Sequence, residues 1–177
     1  MSQGGSRLEE LLRTEGIRLH ALLYRLTLST ETADDLLQEL CTNLLVSETF
    51  AVAETPVAFA LRAAVNLGLG WRRQKQRRAE ELPDCLCSAE TEPSIQLGNR
   101  EELERILDAV QGLREPLREI LVLRYIEGES YESIASALGK NGHQIRGLAH
   151  KGIREIRAQL DGRDRLSRRG LSHERSV

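Results

Sequence analysis

Leu8, Leu11, Leu12, Leu19, Leu22, Leu23 and Leu26 recur at close to helical spacing, which places them along one face of a first helix. The five residues before Ser6 carry no such pattern and read as a disordered tail. "LST" interrupts the pattern, and Thr30 or Thr32 is a candidate cap for a second helix. That helix sets Ala33, Leu36, Leu37, Leu40, Leu44 and Leu45 on one side, with Asp34, Asp35, Gln38 and Glu39 on the rest of the cylinder. "SETFAVAET" breaks the pattern again. Pro56 suits the first turn of a third helix, "PVAFALRAAVNLGLGWRRQKQRR", apolar on most sides at its start and cationic at its end.

Residues 79–99, "AEELPDCLCSAETEPSIQLGN", hold two prolines and no sustained period, so they read as a linker containing the domain boundary. Beyond it, Leu103, Ile106, Leu107 and Val110 make one stripe, and Leu117, Ile120, Leu121, Leu123 and Ile126 make another. "EGES" is a turn. The predicted fold is all-α: two small helical domains, 6–79 and 100–162, joined by an acidic linker, 80–99, and followed by a basic tail, 163–177.

The stretch "SYESIASALGKNGHQIRGLAHKGIREI" (130–156) is the most informative. Ser130 is a good N-cap, Gly139 suits a left-handed helix end, and Asn141 is placed to cap a second helix. Ile134, Ala135 and Leu138 form the inner face of the first helix; Ile145, Ala149, Ile153 and Ile156 form that of the second. This is the pattern of a helix-turn-helix. The outer face of the second helix presents His143, Gln144, Arg146, Gly147, His150, Lys151 and Arg154. Gln and Arg suit base edges in the major groove, and Lys suits phosphates. A helical hairpin with a solvated basic face is the alternative.

Composition matters mainly through where the charges lie. The net charge is only −2. Yet 27–55 carries acids and no Lys or Arg, whereas 61–78 carries Arg62, Arg72, Arg73, Lys75, Arg77 and Arg78 and no acid. Residues 79–108 are again acidic and 140–169 again basic. Two separate basic segments point to two contacts with a polyanion. No apolar run approaches the ~20 residues of a membrane span, and "MSQGGSRLEE" is not a signal peptide, so a cytoplasmic protein without membrane insertion is expected.

Three stretches together resemble the sigma-70 family of bacterial RNA polymerase sigma factors, in its small extracytoplasmic-function group. "ETADDLLQEL" (31–40) looks like that family's acidic helix. The resemblance implies that Asp34, Asp35, Gln38 and Glu39 dock on the β′ clamp helices of core RNA polymerase, with the β subunit a further contact. "FALRAAVNLGLGWRRQKQRR" (59–78) is similar to the helix that reads the promoter −10 element, which implies DNA contacts by Arg62, Asn66, Trp71, Arg72, Arg73, Lys75 and Arg77. "LREPLREILVLRYIEGESYESIASALGKNGHQIRGLAHKGIREIRAQL" (113–160) is like the −35-reading domain, with Asn141, His143, Gln144, Arg146, Gly147, His150 and Lys151 facing DNA. Domain 6–79 then corresponds to sigma region 2 and domain 100–162 to region 4. The partners implied are core polymerase, promoter DNA and an anti-sigma factor. The chain departs from the family at Lys140, at the Asn141–Ile145 helix opening and at Leu148, and it is poor in aromatics. Phe50 and Trp71 are the few candidates for stacking on unpaired bases.

Other chemistry is thinly represented. Asn66 reads either as a satisfied buried amide or as a DNA-facing group. Cys85 and Cys87 are only a C-x-C pair with no nearby His, so no metal is expected. No phosphate-cradling loop or nucleophile–base set is present, so neither an enzyme nor a cofactor is expected. The rival functions are a conventional helix-turn-helix regulator, which predicts homodimers on palindromic sites, and a sigma-like protein-interaction module.

Overall fold

The computed structural model describes residues 3–81 and 97–173, and helices are the only regular elements among them. They are α1 (Gln3–Thr27), α2 (Thr30–Val46), α3 (Glu48–Val52) and α4 (Pro56–Glu81), then α5 (Leu97–Gln111), α6 (Leu117–Leu121), a π-helical turn (Val122–Ile126), α7 (Tyr131–Leu138) and α8 (Gly142–His173). Residues 3–5 of the expected N-terminal tail are instead the start of α1, and Arg7 donates to the carbonyls of Ala51 (2.7 Å) and Ala53 and so ties that turn to the end of α3; residues 1–2 lie outside the described residues. Of the segment read as a linker, residues 82–96 lie outside the described residues. Its two ends belong to α4 and α5.

The caps follow local chemistry. Ser29, rather than Thr30 or Thr32, caps α2, accepting from the Thr32 amide at 3.3 Å. The corner before it is made by Leu28, whose φ of 58° is left-handed although it is not glycine. That conformation costs roughly 1–2 kcal/mol for a residue with a Cβ. Leu28 keeps it because its side chain is buried in the core.

Two glycines allow close helix contacts. A Cβ on Gly68 of α4 would lie 2.7 Å from Leu26 Cδ1 of α1, and one on Gly152 of α8 would lie 2.9 Å from Leu121 Cδ1 of α6. Around these contacts one buried cluster runs through both halves. It includes Leu22, Leu26, Leu40, Phe50 and Leu69 of the first half and Leu107, Ile120, Ile134, Ile145 and Ala149 of the second. Leu45, expected on the inner side of α2, is instead half exposed beside Val46. The buried stripe of α2 follows Ala33, Leu36, Leu40 and Leu44.

Ion pairs cross between the halves. Arg18 Nε lies 3.1 Å from Glu127 Oε2, and its Nη2 lies 2.5 Å from Glu129 Oε1. Arg25 Nη1 lies 3.4 Å from Glu127 Oε1 and donates to the Ile126 carbonyl. Arg62 Nε donates to Glu119 Oε1 at 2.5 Å, and Arg62 Nη1 to the Ala137 carbonyl at 3.2 Å. Arg72 Nη2 reaches Asp108 Oδ1 at 2.6 Å, and Arg100 reaches the Leu28 carbonyl at 3.1 Å. Among the described residues of acidic 79–108, Asp108 meets the basic segment 61–78 at Arg72, while Arg73, Lys75, Arg77 and Arg78 are exposed.

Candidate nucleic-acid and protein interfaces

The helix-turn-helix is built from α7 and α8. Ser130 accepts from the Ser133 amide at 3.0 Å and caps α7. Gly139 ends it with φ 61°, and the Lys140 amide folds back onto the Ala135 carbonyl at 2.9 Å. Asn141 then opens α8 with a reciprocal cap. Its Oδ1 accepts from the Gln144 amide at 2.8 Å, and its own amide donates to Gln144 Oε1 at 3.2 Å. Ile145 and Ala149 are fully buried, which turns the opposite face outward. His143, Gln144, Arg146, Gly147, His150, Lys151 and Arg154 are all exposed on it. Leu148 is half-buried and packs on the core.

Two residues that the sequence does not assign to this face organise it. Glu132 Oε1 accepts from Arg146 Nη2 at 2.8 Å. The Tyr131 ring lies between two guanidinium groups, with Arg124 at 4.7 Å and Arg146 at 5.6 Å from its centroid. Glu132 is fourteen residues before Arg146, so no helical spacing links them; only the turn geometry brings them together. Asn141 and Gln144 are already engaged in the cap, a role distinct from the base contact the resemblance implies for them.

The seven expected −10 contacts on α4 separate into two groups. Asn66, Arg73, Lys75 and Arg77 are exposed. Asn66 is therefore not a buried amide. Trp71 is half-buried, with Lys75 Nζ 5.2 Å from its ring. Arg72, however, is only 9% exposed. It donates to the Leu26 and Glu104 carbonyls and to Asp108, so in this arrangement it bridges α1, α4 and α5 rather than facing solvent. Arg62 is likewise engaged by Glu119 and by the backbone of α7. Phe50 is fully buried against Phe59, centroids 5.9 Å apart, and is core rather than a platform for bases.

On α2, Asp34, Asp35, Gln38 and Glu39 all lie exposed on one side, opposite Leu36 and Leu40. Asp34 Oδ1 accepts from His20 Nε2 at 2.9 Å. The others present their polar groups outward, a surface suited to a basic protein partner.

Two electrostatically shifted groups, Glu129 and Arg18, lie between the halves. A hydrogen bond from Ser133, working against partial burial and aided by Arg18's hydrogen bond and charge, holds the Glu129 carboxyl below its ordinary range. Burial disfavours the charged form of Arg18, but Glu129 and Glu127 outweigh it and raise its pKa. Burial pushes the Cys41 thiol up, away from the reactive thiolate. No group of three or more His, Cys, Asp or Glu is placed to hold a metal among the described residues. Cys85 and Cys87 lie outside them. No described helix is long and apolar enough to cross a membrane.

An all-helical chain with a capped helix-turn-helix and a cationic outward face belongs to the class of helical DNA-binding proteins. Comparison with known proteins narrows the class. Residues 103–156 match the family model described as Sigma-70, region 4. An RNA polymerase sigma-E factor of Streptomyces avermitilis is 27% identical over 170 residues, covering 94% of this chain and 91% of that protein. The ECF RNA polymerase sigma factor SigE of Mycolicibacterium smegmatis is 31% identical over 156 residues, covering 86% of this chain and 61% of that protein. A sigma-E factor of Streptomyces antibioticus is 28% identical over 120 residues; the aligned part spans 66% of this chain and 63% of that relative. Two solved structures share the fold. CnrH in complex with the cytosolic domain of CnrY has a TM-score of 0.52 at 18% identity, covering 90% of this chain and 96% of CnrH. The sigma factor RpoE of Bartonella quintana, in complex with the anti-sigma factor NepR, has a TM-score of 0.50 at 19% identity, covering 86% of this chain and 96% of RpoE. Residues 103–156 thus match sigma-70 region 4, and along most of its length the chain is similar to RNA polymerase sigma-E factors, one of them named as of the ECF group.

Proposed function

We propose that the protein is a transcription initiation factor that binds core RNA polymerase and directs it to promoters with −10 and −35 elements. The division of labour follows the two halves. Domain 6–79 binds polymerase through Asp34, Asp35, Gln38 and Glu39 of α2, and meets the −10 element with the exposed part of α4: Asn66, Trp71, Arg73, Lys75 and Arg77. Domain 100–162 meets the −35 element with the outer face of α8. Catalysis belongs to the polymerase, and no cofactor is required. The factor supplies base-specific binding energy and stabilises the opened strands. It acts in the cytoplasm, where polymerase and DNA are, and an anti-sigma factor is a further partner, as the Bartonella quintana sigma factor is found in complex with one.

The observation that carries this reading is the outward cationic face of α8 within the region that matches sigma region 4. The test is capture by bacterial core polymerase, comparing wild type with Asp35→Arg/Glu39→Arg. Salt-resistant capture of wild type and its loss in the double variant is the expected result. Absence of capture at low salt overturns the polymerase role and leaves a free-standing DNA binder.

A further inference from the structure

Gly68 and Arg72 stand one turn apart on the same face of α4, and both act on Leu26 in the last turn of α1. The missing side chain at Gly68 lets α4 approach until an added Cβ would lie 2.7 Å from Leu26 Cδ1. Four residues on, Arg72 Nη1 donates to the Leu26 carbonyl at 3.2 Å. The last carbonyls of a helix have no partner within it, and a cation there also meets the negative end of the helix dipole. Leu28, in the left-handed position that ends α1, satisfies the Tyr24 carbonyl through its amide at 2.7 Å. The Leu26 and Leu28 carbonyls are met from other helices, by Arg72 and by Arg100, the latter at 3.1 Å.

Burying a guanidinium is costly unless it is paired and hydrogen-bonded. Arg72 meets that cost through Asp108, at 2.6 Å, and through the Glu104 carbonyl, at 3.3 Å, while its Nε is buried without a partner. These bonds leave Nη1 aimed at the end of α1. The cations of α4 that can reach a phosphate are its neighbours Arg73, Lys75 and Arg77, which are exposed. What Arg72 does reach has a direct bearing on α2. Only two residues, Leu28 and Ser29, join α1 to α2, so the pose of the α1 end is passed on to α2. Asp34 and Asp35 follow within the first turns of that helix.

We infer that Arg72 is a positioning residue for polymerase docking and not a DNA contact: with Gly68 it clamps the end of α1, and so sets the angle at which α2 presents Asp34, Asp35, Gln38 and Glu39. This rests on the proposed function, but two of its three readouts need no polymerase. Arg72→Met in the full chain keeps the bulk of the side chain and removes its donors; Asp108, 36% exposed, stays solvated. Amide hydrogen exchange at Thr32, Ala33 and Leu36 of α2 is expected to quicken about tenfold or more, the worth of a hydrogen bond from a charged group. Exchange at Ile145 and Ala149 of α8 is expected to keep the wild-type rate. The dissociation constant for core polymerase is expected to rise by a similar factor. Fluorescence anisotropy with a promoter-free duplex gives the salt slope of phosphate binding. That slope is expected to stay unchanged, whereas loss of a phosphate contact lowers it by about one. Gly152→Val, which disturbs packing between α6 and α8, controls for lost stability and is expected to retain polymerase capture. Unaltered exchange in α2, equal quickening in α2 and α8, a salt slope lowered by about one, or an equal loss of capture in Gly152→Val each overturns the inference. If exchange quickens in α2 alone while wild type captures no polymerase, the clamp on the corner stands and the docking reading fails.

Discussion

Arg146 of α8 is held by Glu132 of α7 across a 2.8 Å hydrogen bond, with the Tyr131 ring beneath the same guanidinium. The first helix of the helix-turn-helix thus orients a cation of the second. Both side chains of the ion pair are more than half exposed, so it contributes at most about 1 kcal/mol to stability. Its value lies in orientation. Glu132→Gln is expected to leave the melting temperature nearly unchanged while relaxing base preference at the position Arg146 is proposed to read. Selection from a duplex library randomised over the −35 element measures that preference.

The reciprocal cap at the start of α8 gives a second expectation. Asn141→Ala removes the acceptor for the Gln144 amide and is expected to destabilise by about 1 kcal/mol. Asn141→Asp keeps an acceptor and is expected to stay near wild type. Urea denaturation distinguishes the two. If both variants weaken DNA binding far beyond the loss of stability, Asn141 also touches DNA.

Glycines separate packing from propensity. Gly152→Val drives side-chain atoms into buried Leu121 and is expected to cost about 1–3 kcal/mol. Gly147→Ala meets nothing within 4 Å on the exposed face of the same helix. It is expected to gain up to about 1 kcal/mol from helix propensity. Denaturation midpoints read both directly, and the opposite signs make the comparison decisive.

Protonation of Glu129 supplies a fourth expectation. Ser133, Arg18 and the nearby Glu127 surround this carboxyl, while Arg124 bonds its backbone carbonyl. Its folded pKa is below the ordinary 4.5, so the group favours the folded state where it is ionised. That stability is fully present above pH 4.5 and is lost as the pH falls through the depressed folded value. The stability difference between wild type and Glu129→Gln is therefore expected to be constant at neutral pH and to shrink in acid. A difference that grows in acid refutes the assignment.

Much of the helix-turn-helix was legible because its signals are local. Ser130, Gly139 and Asn141 act within one turn of themselves, and Ile145 and Ala149 repeat at helical spacing. The interface between the halves was not, because it depends on partners far apart in sequence. Arg72 follows Trp71 in a run that looks uniformly cationic, and only the arrival of α5 buries it against Asp108. Phe50 sits in a short segment with no period of its own, so its burial against Phe59 is decided by tertiary packing. Leu45 illustrates the limit of periodicity: it adjoins Leu44 in an apolar pair, but α2 has no neighbour to cover it. The alternation of charge along the chain points to polyanion contacts, and does not show which acid meets which arginine.

Leu28 joins two demands that few residues meet together. The backbone at the corner between α1 and α2 favours glycine, while the surrounding core fills only with a large aliphatic group. Glycine there would relax the chain and leave a void; a β-branched residue would fill the space and sharpen the strain. The bearing of α2 on α1, and with it the direction in which Asp35 and Glu39 point, is thus set by a side chain buried in the core.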